Sequence, residues 1–221
     1  VSARRQVRSS DSPFVERVTR VTYDAAVREL STPDGTWDLV VIEREGRRLV
    51  LQTGLITRPV ELENDAGDAY LAISFKPGVF LAKQPGVSTV DRGIVQPILS
   101  PRAFSMHGET LEIPTFDNAD DFVARLARRD LLARDELVAD AARGDVRAIG
   151  TRTLQRHFVH ALGITPKQLA QIQRACRAVE LLERGVAPAA VAIEVGYSDQ
   201  PHMTRALKAL VGRTPGQIRG G

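Results

Sequence analysis

Along this chain the spacing of apolar residues changes once. From about Phe14 to Ser100 the apolar segments are short and strand-like: FVERVTRVTY, WDLVVIE, RLVLQTG, RPVEL and AYLAISF. They are rich in Val, Ile, Leu and aromatics, and TPDGT, REGRR and ENDAGDA between them supply turn residues. Such a pattern predicts an antiparallel β domain. After LEIPTF the spacing becomes helical. Asn118 is placed to cap a helix with Asp120 and Asp121 in its first turn and Phe122, Leu126 and Ala127 on one side. Another helix is expected from about Asp135 to Arg143, ending at Gly144.

An internal repeat dominates the helical half. TLQRHFVHALGITP (153–166) falls on HMTRALKALVGRTP (202–215) at a constant offset, pairing Leu154 with Met203, Arg156 with Arg205 and Phe158 with Leu207. The same offset pairs Ala161 with Leu210, Gly163 with Gly212, Thr165 with Thr214 and Pro166 with Pro215. Two copies are too few for a solenoid and suit a duplicated small helical unit. In the second copy Met203, Leu207 and Leu210 form a core-facing stripe, Ser198 or Asp199 caps the start, Pro201 sits in the first turn and Gly212 ends the helix. PAAVAIEVGYS before it predicts a short helix, Pro188 to Val195, and a tight turn at Gly196, which is a helix-turn-helix layout. In the first copy Leu154, Phe158 and Ala161 make the stripe, with Arg152, Gln155 and Arg156 on another face.

The succession RTLQRHFVHALGITPKQL, RACRAVELLERG and VAIEVGYSDQPHMTRALKALVGRTPGQIR, over about Leu131 to Arg219, resembles the tandem helix-turn-helix DNA-binding domain of AraC/XylS-family transcriptional regulators. The resemblance implies a first recognition helix at Thr151 to Leu162, a connecting helix at Pro166 to Arg184 and a second recognition helix at Asp199 to Val211. A connecting helix of that length spans about 28 Å at about 1.5 Å per residue. Successive major grooves on one face of B-DNA lie about 34 Å apart, so one chain can reach two of them. Leu169, Ile172, Cys176 and Val179 are the expected buried stripe of the connecting helix.

By the same resemblance Arg152, Gln155 and Arg156 face the groove from the first recognition helix, and Gln200, Pro201, His202 and Arg205 from the second. Arginine can donate twice to guanine, and glutamine can pair with adenine. Lys167, Arg174, Lys208 and Arg213 are expected near phosphates or simply in solvent, and Arg156 and Arg205 could instead pair with an acid such as Glu194. The first unit departs from the family pattern: VADAARGDVRAI (138–149) has Gly144 in its middle and leaves little room for a helix between Asp145 and Ile149. Its recognition helix is therefore expected to lean on the preceding helix or on the N-terminal domain.

The expected fold class is thus α+β. A β-rich N-terminal sensor or dimerisation domain (1–115) and a helical linker region (116–134) precede an all-α domain (135–221) with two helix-turn-helix units joined by a connecting helix. Charge agrees with this division. Residues 150–221 hold ten basic and four acidic residues, net +6, while the rest, with 20 and 23, is −3. Such asymmetry suits a polyanion-binding module joined to a neutral partner domain. One cysteine, Cys176, excludes an intrachain disulfide and a multi-cysteine metal cage. Three of the four histidines lie in the repeat, which leaves His107 alone in the β region and no histidine cluster there.

No nucleophile–base pairing, GxSxG or phosphate loop is visible, so no enzyme and no cofactor are expected. No apolar run suggests a membrane span or secretory signal, and a cytoplasmic location is expected. The expected function is a sequence-specific transcriptional regulator that binds double-stranded DNA. A small-molecule effector, RNA polymerase and a second copy of the chain are candidate partners. Trp37, Tyr70, Phe75 and Phe80 are candidates for an apolar pocket, though aromatics in strands are more often core. A protein-interaction module and a metal-free small-molecule-binding enzyme are the alternatives, and salt dependence separates the first from DNA binding.

Overall fold

The computed structural model describes residues 2–145 and 149–220. Its N-terminal part is built on strands β1 (Ala3–Ser9), β2 (Val15–Tyr23), β3 (Val27–Ser31), β4 (Trp37–Arg44), β5 (Arg47–Thr53), β6 (Val60–Asn64), β7 (Ala69–Phe75), β8 (Val79–Leu81) and β9 (Gly93–Gln96). Six of them form an antiparallel sheet in the order β1-β2-β7-β4-β5-β9, and β3 pairs separately with β6. Strands β10 (Ile98–Ser100), β11 (Ala103–Met106) and β12 (Glu109–Glu112) make a small third sheet. The five segments read from the sequence are β2, β4, β5, β6 and β7. Strand β1 had no apolar alternation to betray it: ARRQVRS is an edge strand, exposed along most of its length and held by pairing to β2.

Alternation in the central strands places Val18, Leu39, Val41, Ile73 and Phe75 in one core. Trp37 stacks on Phe75 at 4.0 Å between ring centres, and its indole N–H donates to the Val79 carbonyl at 2.7 Å. Both aromatics are core; of the four pocket candidates Trp37 and Phe80 border a small cavity against Ala161 and Leu162, whereas Phe75 and Tyr70, whose ring lies 6.0 Å from that of Tyr23, do not line it. Helix α1 (Ala119–Arg128) buries Ala119, Phe122, Val123 and Leu126 in the same core. Asn118 precedes it without capping it, because its Oδ1 accepts from the Thr115 amide instead. Beyond α1 the chain re-enters the β structure as β13 (Leu132–Arg134), antiparallel to β8. The segment expected as a linker region is thus packed against the N-terminal sheet.

The remaining helices are α2 (Glu136–Ala142), α3 (Thr151–Leu162), α4 (Pro166–Glu183), α5 (Pro188–Glu194), α6 (Gln200–Val211) and α7 (Pro215–Arg219). The repeat explains their ends. Gly163 and Gly212 close α3 and α6 with φ of 75° and 76°, the left-handed backbone that favours glycine. Thr165 and Thr214 open α4 and α7 with complete capping boxes to Gln168 and Gln217, each followed by proline at a position where no helical amide is lost. The first turn of α4 and the whole of α7 are therefore equivalent. No helix among the described residues is long and apolar enough to cross a membrane.

Candidate nucleic-acid interface

Helices α3 and α6 each spend one face on packing and leave the other in solvent. In α6 Met203, Leu207 and Val211 are buried, at i, i+4 and i+8. Leu210, expected in that stripe, is only half-buried and packs against the cores of both units. In α3 Phe158, Ala161 and Leu162 are buried, and Leu154 is half-buried. Arg152, Gln155 and Arg156 on α3, and Gln200, Pro201, His202 and Arg205 on α6, are all exposed. Lys167 and Lys208 are exposed too, whereas Arg174 and Arg213 are half-buried.

Among the described residues no acid is in ion-pair contact with Arg152, Arg156 or Arg205, so the exposed ridges keep their positive charge. Glu194, the acid expected as an alternative partner for Arg156 or Arg205, faces Arg177 at 3.7 Å. Arg174 lies over the Tyr197 ring at 5.4 Å. That places its guanidinium against the protein, with its stem on α4 and its aromatic partner just before α6.

The start of α6 is locked by three neighbouring residues. Asp199 caps the helix by accepting from the His202 amide at 2.6 Å. His202 Nδ1 meets the Ser198 hydroxyl at 3.0 Å, and its ring stands edge-on to Tyr197 at 5.2 Å. Tyr197 is the residue that sequence reasoning missed: it is 8% exposed, joins the core of the second unit and positions both His202 and Arg174. An aromatic immediately after the turn glycine was the available signal.

Helix α4 is 18 residues long, about 27 Å, and ends one residue before the expected limit at Arg184. Its buried residues are Leu169, Ile172, Ala175, Ala178, Leu181 and Leu182. Cys176 and Val179, expected as core, are half-buried flanks of that stripe, because small alanines let the neighbouring helices approach on the adjacent face. Cys176 Sγ donates to the Pro33 carbonyl at 3.4 Å, and burial pushes its thiol up to about 11, so it is neither thiolate nor nucleophile near neutral pH.

In the first unit the supporting helix α2 has seven residues, as does α5 in the second. Asp135 caps it by accepting from the Leu137 and Val138 amides. Five residues separate α5 from α6, but eight separate α2 from α3. Of the stretch expected to be too short for a helix, residues 146–148 lie outside the described residues.

Two matched, cation-bearing helices thus stand exposed on apolar cores, and residues 146–221 match the model of a helix-turn-helix domain. The C-terminal third of the chain is a helix-turn-helix domain of the AraC type. The AraC-type domain is a DNA-binding module of transcription regulators, and it follows a strand-rich N-terminal region. Comparison with curated proteins finds no match. Among solved structures, ToxT from Vibrio cholerae is similar at 8% identity, with 100% of this chain and 98% of that chain covered and a TM-score of 0.43. ToxT from Vibrio cholerae O395 bound to (E)-4-(8-methylnaphthalen-1-yl)but-3-enoic acid is similar at 8% identity, with 100% and 99% covered and a TM-score of 0.43. At that identity and TM-score the likeness carries nothing about residues or ligands.

Proposed function

We propose that the protein is a sequence-specific transcriptional regulator that inserts α3 and α6 into adjacent major grooves of double-stranded DNA. The observation that carries this reading is the pair of exposed polar ridges, Arg152–Gln155–Arg156 and Gln200–Pro201–His202–Arg205, on repeat-matched helices joined by one rigid helix. Arg152, Gln155, Arg156, Gln200 and Arg205 read base edges, each good bidentate pair contributing about 1 to 3 kcal/mol of discrimination. Pro201 and His202 shape the tip of α6, which enters the groove first. Lys167, Lys208 and Arg213 meet phosphates, and Arg174 does so from its seat on Tyr197.

The N-terminal β domain senses a small-molecule effector or pairs with a second copy, and RNA polymerase is the machinery acted upon. The described cavity between Trp37, Gln52, Phe80, Gln84 and the end of α3 is about 20 Å3, room for roughly one water, so an effector there requires the two parts to move apart.

Fluorescence anisotropy on the duplex upstream of the protein's own gene and on a scrambled duplex, each over a salt series, tests the reading. Specific binding roughly 10³-fold tighter on the upstream duplex, weakening as salt rises, is expected. Arg205→Ala is expected to cost about 1 to 3 kcal/mol on the specific duplex and to relax one base position. Absence of binding to both duplexes at low salt would sink the proposal in favour of a protein-interaction module.

A further inference from the structure

The two helix-turn-helix units are built differently at the end that faces the N-terminal domain. Every residue of the second unit's core comes from residues 175–218, on α4 to α7 and their connections. The first unit's core takes Val138 from α2, Phe158, Ala161 and Leu162 from α3, and Ile164, Leu169 and Ile172 around α4. To these it adds Leu55 from the N-terminal domain, with Phe80 and Val90 packed alongside.

The contact is backbone against backbone. A Cβ on Gly86 would fall 2.6 Å from the Ala161 carbonyl oxygen and from the Leu162 carbonyl carbon. One on Gly163 would fall 2.3 Å from Val90 Cγ2 and 2.7 Å from Gly86. The C-terminal end of the first recognition helix thus rests directly on the N-terminal domain.

A polar link holds the other side of that helix. The Asp135 amide donates to the Gly78 carbonyl at 2.8 Å, which ties the residue to the β structure. Its Oδ1 caps α2, and its Oδ2 meets His157 Nδ1 on α3 at 2.5 Å. One half-buried aspartate therefore joins β structure through its amide, and supporting helix and recognition helix through its carboxylate. His157 is half-buried and lies off the ridge of Arg152, Gln155 and Arg156. It does not itself face the groove.

We propose that the N-terminal domain is a structural part of the first DNA-reading unit, with Asp135 and His157 as the positioning residues that set α3, while α6, which meets side chains of Leu30 and Pro59 at Gly212 rather than backbone, is set chiefly by its own unit's core. The inference rests on the reading that both helices enter DNA. Base contacts demand side chains held to roughly 0.5 Å, so a small pivot of α3 forfeits them. Any change in the N-terminal domain that loosens the Gly86–Gly163 seat lowers the fraction of molecules with α3 in place, and apparent affinity falls by that fraction. Control by the N-terminal domain therefore acts on one half of the binding site.

The test selects binding duplexes from a random-sequence double-stranded library with the full chain. Wild type is expected to enrich a two-part site, and the part that Arg205→Ala loses is the one α6 reads. His157→Ala is expected to keep base preference in that part, to lose it in the other, and to bind the wild-type-selected duplex roughly ten-fold more weakly, about 1.4 kcal/mol. His157→Asn, whose amide can donate to Asp135 in place of Nδ1, is expected to restore both parts. Val90→Ala loosens the seat from the N-terminal side without touching α3, and the same half-site loss is expected of it even if His157→Ala fails to fold. Unchanged preference in both parts with Val90→Ala, or equal loss of both with either variant, would overturn the inference. A wild type that enriches no sequence would instead overturn the DNA reading on which it stands.

Discussion

The two helix-turn-helix units share a repeat down to their caps, yet one is closed and the other is open. In the second, Met203, Leu207, Val211 and Ile218 complete a core with α4 and α5, and Tyr197 seals the turn. In the first, the matching Phe158, Leu162 and Leu169 are as well buried, but Leu55, Phe80 and Val90 of the N-terminal domain cover part of them. Equivalent sequences can therefore be buried to the same degree by different neighbours. What differs is which part of the molecule must be intact for each helix to stay in place.

Core truncation should break the comparison most forcefully. Phe158→Ala removes a side chain 2% exposed and is expected to cost about 3 to 5 kcal/mol, lowering the thermal transition of the N-terminal sheet along with that of α3. Leu207→Ala, at a 0% exposed position, is expected to cost about 2 to 5 kcal/mol and to expose α5 to α7 while leaving the sheet protected. Hydrogen exchange followed peptide by peptide checks both. Equal loss of protection in β2, β4 and β7 from Leu207→Ala would show that the second unit is no more independent than the first.

A smaller effect should separate the twin glycines. Both Gly163 and Gly212 have the same left-handed φ, so alanine at either costs about 1 to 2 kcal/mol in strain. At Gly212 the added carbon meets Leu30 Cδ1 at 3.1 Å, the movable end of a side chain that is largely exposed. At Gly163 it drives into Val90 and the backbone of Gly86, which adds about 1 to 3 kcal/mol of overpacking. Chemical denaturation of the two variants should rank Gly163→Ala clearly below Gly212→Ala; the reverse order would contradict the tight seat.

The smallest effect concerns pH. Burial pushes the Asp38 carboxyl up to about 6, with Asp34 adding to it and Ser74 and Arg17 opposing. A carboxyl that binds its proton more tightly when folded contributes stability below its unfolded pKa of about 3.9 and loses it as pH rises through about 6. The stability of the N-terminal domain should therefore fall between about pH 4 and pH 6, by at most about 3 kcal/mol in all, and Asp38→Asn should flatten that fall. Exchange in α5 to α7 should not follow this titration. If it did, the second unit would be coupled to the sheet after all.

Much of the helical half was legible in the sequence, because helix ends are written locally. The family resemblance places Thr151 to Leu162 to the residue and α6 to within one, its expected first residue Asp199 being the cap. Glycine after the last buried residue and threonine–proline before the next helix are signals within one turn of chain. Partners across the fold were not legible. Val211 rather than Leu210 is buried in α6, and Ala175 and Ala178 rather than Cys176 and Val179 are buried in α4, because the neighbouring elements decide which edge of a stripe is covered. Asn118 looked like a cap, but the nearby Thr115 amide took its side chain.

By itself the sequence determined the change from strand to helix spacing, the repeat with its caps and the polar ridges of α3 and α6. Each of these depends on residues at most a few turns apart, and backbone hydrogen bonding and burial act at that range. Only the tertiary structure decided that β1 completes the sheet, that α1 packs into it, and that Asp135 with His157 and Gly86 with Gly163 bind the first unit to the N-terminal domain. Those contacts join residues 22 and 77 positions apart, and no period or propensity in the chain encodes which distant surface will meet a given face. Packing chooses among the faces that local chemistry leaves apolar, and that choice made one unit's core self-contained and the other's shared.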